Sequence, residues 1–193
     1  MNFNKLVILV CGLAYAVLAH ADYQLDVTSS SLHFISIKKD KIAETHTFKK
    51  ITGGISANGS ANIAIDLNSV ETHIDIRNER MKTMLFETAM FPTAVVSTSV
   101  DAVQLEGLQV GEMIGVPVEL SIDLHGKIKK TAATLSVVKL TSGNILVTTT
   151  KPILLNAFDF GLVSGIQALM EVAKLPSIAT AVPVSFSLVF KSE

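Results

Sequence analysis

Tryptophan is missing from this chain altogether, and its single cysteine is Cys11. One thiol cannot form an intramolecular disulfide, so stability must come from an ordinary apolar core. Only 6% of the residues are aromatic and only 17% are charged, with 16 basic against 17 acidic. That near-cancellation gives no overall electrostatic case for nucleic acid or for an anionic membrane surface. Among the residues that carry chemistry, His33, His46, His73 and His125 are scattered, and no two stand at the i,i+2 or i,i+4 spacing of a metal pair. No metal or other cofactor is expected. The Gly-x-Ser-x-Gly elbow of a hydrolase is lacking too. Asp159-Phe160-Gly161 shares three letters with protein kinases and none of their other elements. Together these absences argue against catalysis.

What is abundant is aliphatic: hydrophobic residues reach 49% of the chain, largely Val, Ile, Leu and Ala, with Thr common beside them. Such a chain has either a large core or apolar surface to spare for a ligand. Part of the excess sits at the start, where Lys5 precedes an apolar run from Leu6 to Ala19 that ends in Ala19-His20-Ala21. This is the pattern of a secretory signal peptide over residues 1–21, cleaved after Ala21. The run is shorter than the roughly twenty residues a helix needs to cross the hydrocarbon, so no stable membrane span is expected. Cys11 lies inside it behind Leu9 and Val10, not behind the small residues that lipid attachment favours. Residues 22–193 read as one domain of a periplasmic or secreted protein.

Periodicity gives the fold class. Val182, Val184, Phe186, Leu188 and Phe190 alternate with Pro183, Ser185, Ser187 and Val189. Val116, Val118, Leu120, Ile122 and Leu124 alternate with Pro117, Glu119, Ser121, Asp123 and His125. A period of two is that of a strand with one buried face. Shorter runs cover Leu32 to Ile37, Ile63 to Leu67, Val95 to Val103, Ala133 to Val138 and Ile145 to Thr150. Gly53-Gly54, Asn58-Gly59, Gly126-Lys127 and Gly143-Asn144 supply hairpin turns between them. Two stretches have helical spacing instead: Arg77 to Phe86, through Met81, Met84 and Leu85, and Gly165 to Lys174, through Ile166, Leu169, Met170 and Ala173. Many strands and two short helices predict an all-β domain, an antiparallel barrel or sandwich. A barrel of eight strands is either filled by its own side chains or holds one slender ligand.

Tyr23-Gln24-Leu25-Asp26 is followed by Ser30, Ser31, Leu32 and Phe34, then by Thr45-His46, Phe48 and Gly54-Ile55. Ile76-Arg77-Asn78-Glu79-Arg80-Met81 comes next, with Leu85-Phe86 and Phe91-Pro92 behind it, and Leu124-His125-Gly126 and Phe158-Asp159-Phe160-Gly161 complete the series. In order and spacing these segments resemble the YceI-like proteins, exported lipid-binding domains with an eight-stranded lipocalin-like barrel. The likeness spans the chain beyond the signal. It departs where the family's opening Trp is Tyr23, where a common glycine is Thr47, and where its Arg-Asp pair is Arg77-Asn78 with Arg80 added.

The resemblance implies a tunnel that takes a long isoprenoid or similar lipid, its polar end near the mouth. Each buried methylene contributes about 0.8 kcal/mol, so about ten of them outweigh the usual cost of immobilising a ligand. Phe34, Phe48, Met81, Met84, Phe86, Phe91 and Phe186 are the expected wall residues, each with plain core packing as the competing role. Arg77 and Arg80 are the candidates for a phosphate or carbonyl head group. Glu71, Asp75 and Glu79 compete for them, and a salt bridge from the Arg77 helix to the barrel is the alternative. The expected activity is non-catalytic carriage or sequestration of an apolar ligand, without nucleic acid. A filled barrel that acts as a protein-interaction module is the second reading. The oligomeric state is left open, a homodimer being one option.

Overall fold

The structure, a computed structural model, describes residues 21–192. The predicted signal segment, Ala21 apart, lies outside the described residues. Twelve strand segments form eight antiparallel strands, several of them bent into two halves. β1 (Ala21–Leu25) runs on into β2 (Ser31–Lys38), β3 (Ile42–Phe48) into β4 (Ile51–Ser56), and β5 (Ser60–Asp66) into the short β6 (Val70–Glu71). β7 (Thr93–Ser99), β8 (Met113–Leu124) and β9 (Lys127–Lys139) are continuous. β10 (Ile145–Thr149) leads into β11 (Ile153–Asn156), and β12 (Ala181–Ser192) is last. Neighbours in sequence are neighbours in space. β12 then closes the ring by pairing with both halves of the first strand, Ser192 with Tyr23 and Phe186 with Leu32. The result is an up-and-down barrel of eight strands, as the resemblance implies.

The alternating pattern decides which side chains point inward. Val116, Val118, Leu120 and Ile122 are buried along β8, while Pro117, Glu119 and Asp123 are exposed. The two prolines within strands sit where the ladder can spare an N–H. Pro117 pairs with Thr134 of β9 but lies beyond the stretch of β8 that pairs with β7, and Pro183 pairs with Leu154 of β11 but lies beyond the end of the β2 pairing.

Three local expectations are corrected. Gly53-Gly54 is no turn but the middle of β4. Gly53 has φ +151°, and a Cβ there would stand 2.1 Å from the Asn62 carbonyl oxygen, so glycine permits close approach of two strands. The strand expected over Val95 to Val103 ends at Ser99, because Asp101 caps a short helix, α1 (Ala102–Gly107), accepting from the N–H groups of Val103 and Gln104 at 3.0 and 3.4 Å. The β8–β9 turn is His125-Gly126, one residue earlier than Gly126-Lys127.

The two predicted helices are present. Asp75–Arg80 forms α2, which widens into a π-helical turn over Met81–Leu85. Val163–Ala173 forms α3. The π turn lies against α3, where a Cβ on Gly165 would meet the Met84 carbonyl oxygen at 2.5 Å and the Leu85 Cα at 2.8 Å. Helix α2 is tied to the barrel by Asn78, which is buried. Its Oδ1 accepts from the N–H and hydroxyl of Thr72, at 2.9 and 2.6 Å, and its Nδ2 donates to Glu71 at 3.1 Å.

Candidate ligand-binding site

The inward faces of the strands do not meet in the middle. A cavity of about 160 Å³ lies under the α2–α3 end of the barrel, with walls from β2, β8, β11 and β12 and a lid that includes Leu85, Phe86 and Ile166. A second chamber of about 80 Å³ follows toward α1, and Leu32, Ile65, Val96, Leu120 and Phe186 line both. Every side chain around the first chamber is apolar. Apolar cavities of about this size stay dry, since water finds no partners in them, and they accept apolar guests.

A third space, of about 350 Å³, opens beside the first, between the inner faces of β2 and β3 on one side and α2 and α3 on the other. Phe34, Leu85, Ile166 and Val182 belong to both walls. Between vestibule and chamber stands a chain of rings. His46 tilts against Phe34 at 5.3 Å between centroids, Phe34 stacks on Phe48 at 5.3 Å, and Phe48 tilts against Phe86 at 5.8 Å.

The vestibule carries the polar groups that the chamber lacks. Arg77 donates to Glu44 Oε2 at 2.9 Å and to the Thr72 carbonyl at 2.6 Å, and Lys38 pairs with the same Glu44 at 2.7 Å. Lys38 foremost, with Arg77 behind it, holds the Glu44 carboxyl below its usual range against the opposing effect of burial. His46 is buried, with Nε2 2.8 Å from the Ser36 hydroxyl. Burial first, then the nearby Arg77 cation, lowers its pKa to about 4, so the ring is neutral near pH 7. Nδ1 of His46 and Nε of Arg77 are both buried without a hydrogen-bond partner in the protein. Arg80 lines the same space, half-buried, and makes no ion pair among the described residues.

The expected site residues divide into three groups. Phe34, Phe48, Phe86 and Phe186 line the main chamber, while Met81, Arg77 and Arg80 line the vestibule. Met84 and Phe91 line neither. Met84 sits on the π turn, and Phe91 packs at 4.3 Å between ring centroids on His125 outside the barrel, over the β8–β9 turn. Of the acids expected to compete for the arginines, Asp75 makes no ion pair among the described residues and the other two are engaged elsewhere. Glu71 holds Lys49, Asn78 and the His73 N–H, and Glu79 pairs with Lys82. The partner of Arg77 is Glu44, which brings α2 to β3 by the salt bridge given above as the alternative. Sequence reasoning passed over Glu44 and His46 as site residues, although the alternation Glu44, His46, Phe48 puts all three on one face of β3. Among the described residues no group of three or more His, Cys, Asp or Glu comes together as metal ligands.

Comparison with known proteins agrees with this architecture. A polyisoprenoid binding domain from Saccharophagus degradans, implicated in plant cell wall breakdown, is 43% identical over 90% of this chain and 100% of its own, with a TM-score of 0.89. Two structures share the fold at low identity. BcnA from Burkholderia cenocepacia has 17% identity over 86% of this chain and 98% of its own, TM-score 0.67. The YceI protein of Campylobacter jejuni has 12% over 77% and 84%, TM-score 0.53. No curated protein sequence matches the chain. The model of the YceI-like domain matches residues 23–190, the whole barrel from β1 to β12, and the chain therefore belongs to the YceI-like family.

Proposed function

We propose that this protein is an exported, non-catalytic binding protein that carries or sequesters a long apolar ligand, an isoprenoid or similar lipid, in the barrel. The observation that carries the reading is the series of cavities. A vestibule with polar groups leads past a ring of aromatics to a chamber lined only by apolar side chains, with a second apolar chamber beyond it. A slender chain enters such a space with gain from every methylene removed from water, and rotation about its bonds lets it follow a bent path. The 43% identical relative, described as a polyisoprenoid binding domain, supports the same ligand class.

In this reading the chain lies against Phe34, Phe48, Phe86 and Phe186, and the polar end stays in the vestibule near Met81. There, Arg80 and the unpartnered Nε of Arg77 and Nδ1 of His46 offer hydrogen bonds to phosphate or carbonyl oxygen. The sequence of residues 1–21 supports export to the periplasm or beyond, with cleavage after Ala21. A carrier for water-insoluble chains has its use in such an aqueous space.

The test is extraction of protein purified without detergent, followed by mass spectrometry of the extract, together with thermal melts in the presence of prenyl alcohols and prenyl phosphates. A co-purifying apolar chain and a rise in Tm are expected, since a ligand that binds only the folded state must stabilise it. Absence of both would reject the reading. N-terminal sequencing of the secreted product should begin at Asp22.

A further inference from the structure

A bilayer is where a long apolar chain is stored, and the outer rim of the vestibule has the make-up of a surface that touches one. Ile42 continues the inner face of β3 outward from His46 and Glu44 and is 38% exposed. Across the opening, Ile74 and Ile76 at the start of α2 line the vestibule yet are 46% and 59% exposed. Large aliphatic side chains left in water on both lips of one opening call for a partner. Lys39 and Lys41, in the β2–β3 turn beside Ile42, and Lys174, where α3 ends, are exposed and form no ion pair among the described residues. Asp40 is held by the Ser177 hydroxyl at 2.7 Å, which ties that turn to the segment after α3. Asp75 and Glu171 are the other acids at the rim. With Lys38, Arg77 and Arg80 of the vestibule against Glu44, six cations face four carboxylates here, a local excess that the balanced charge of the whole chain conceals.

We infer that the vestibule rim, Ile42, Ile74 and Ile76 with Lys39, Lys41 and Lys174, docks on an anionic phospholipid bilayer, so that ligand passes between membrane and barrel without crossing water. The isoleucines enter the boundary between head groups and acyl chains, and the lysines meet lipid phosphates. This inference rests on the proposed ligand class.

Flotation of the purified protein with vesicles tests it. Vesicles of phosphatidylcholine mixed equally with phosphatidylglycerol should carry the protein upward, and vesicles of phosphatidylcholine alone should carry much less. The double variant Lys39→Gln, Lys41→Gln should bind the mixed vesicles about thirtyfold more weakly, and Ile74→Ser, Ile76→Ser should weaken binding to both compositions. Lys127→Gln, Lys129→Gln, exposed on β9 outside the vestibule, should bind as the parent does. Equal binding to both compositions, no flotation at all, or equal losses in the rim and β9 variants would each overturn the inference. A prenyl alcohol supplied in detergent separates the two failures. If it raises Tm while vesicle binding is absent, docking is wrong and the ligand class stands; if it does not raise Tm, the ligand class itself falls.

Discussion

Asn78 shows how one atom can set a residue's identity. Its amide serves two neighbours of opposite need, accepting from Thr72 and donating to Glu71. Asn78→Asp keeps the shape and the acceptor but brings a second carboxylate to within hydrogen-bond distance of the first. We expect a loss of about 1–3 kcal/mol in chemical denaturation, from the lost donor to Glu71 and like-charge repulsion. A variant as stable as the parent would show that the Glu71 contact contributes nothing.

His46 makes a pH-dependent contribution whose sign follows from its burial. The ordinary value is 6.5 and the folded value about 4, so between these pH values the unfolded chain binds a proton that the folded chain refuses. Stability is therefore full above the upper value and falls as the pH drops through the window, by on the order of 3 kcal/mol when complete. Arg77, Lys38 and His73 oppose protonation of the ring, and Glu44 favours it. His46→Phe keeps a ring against Phe34 and removes the titration. The fall in Tm between about pH 7 and about pH 4 should be smaller in that variant than in the parent.

At the scale of elements, the lid depends on how closely helix meets helix. Helix propensity alone favours alanine over glycine by about 1 kcal/mol in an exposed helix. At Gly165 the sign reverses, because the new Cβ would press on the backbone of Met84 and Leu85, which is not free to swing away. Gly165→Ala should cost about 1–3 kcal/mol net and alter ligand uptake through displacement of Leu85 and Phe86. A stabilised variant in thermal melts would disprove the contact. At the other end of the barrel α1 rests on one cap, and Asp101→Ala should cost about 1 kcal/mol, seen as faster amide exchange over residues 102–108 with little change in the strands.

For the molecule as a whole, closure of the barrel leaves the interior as the place where the chain's aliphatic excess is used. Strands of this number enclose space at the boundary between filled and hollow. Here the small residues at the wall keep it hollow. Ala94, buried in β7, and Ala157 after β11 both face the main chamber. Ala94→Leu should fill part of the 160 Å³ space, leaving Tm of the ligand-free protein unchanged or raised while reducing the rise on addition of a prenyl lipid. An undiminished rise would mean that the chain takes another path.

The sequence by itself determined the strands that alternate along the chain, since period two is a property of neighbours: Val116 to Leu124 and Val182 to Phe190 show it plainly, and both predicted helices carry their own spacing. β3 and β4 lay outside the runs read by alternation. The order of motifs from Tyr23 to Gly161 carried the family, and thereby the closed barrel and the expectation of an apolar ligand. Only the tertiary structure decided what depends on distances across the fold. It turned Gly53-Gly54 from a turn into a crossing point of strands, chose Glu44 over three acids closer in sequence as the partner of Arg77, and put Phe91 outside the barrel while Phe86 lies inside. Alternation tells a residue which face it is on. How far that face stands from the opposite wall, and therefore whether the space between is packed or open, is set by barrel closure and by the sizes of side chains distant in sequence.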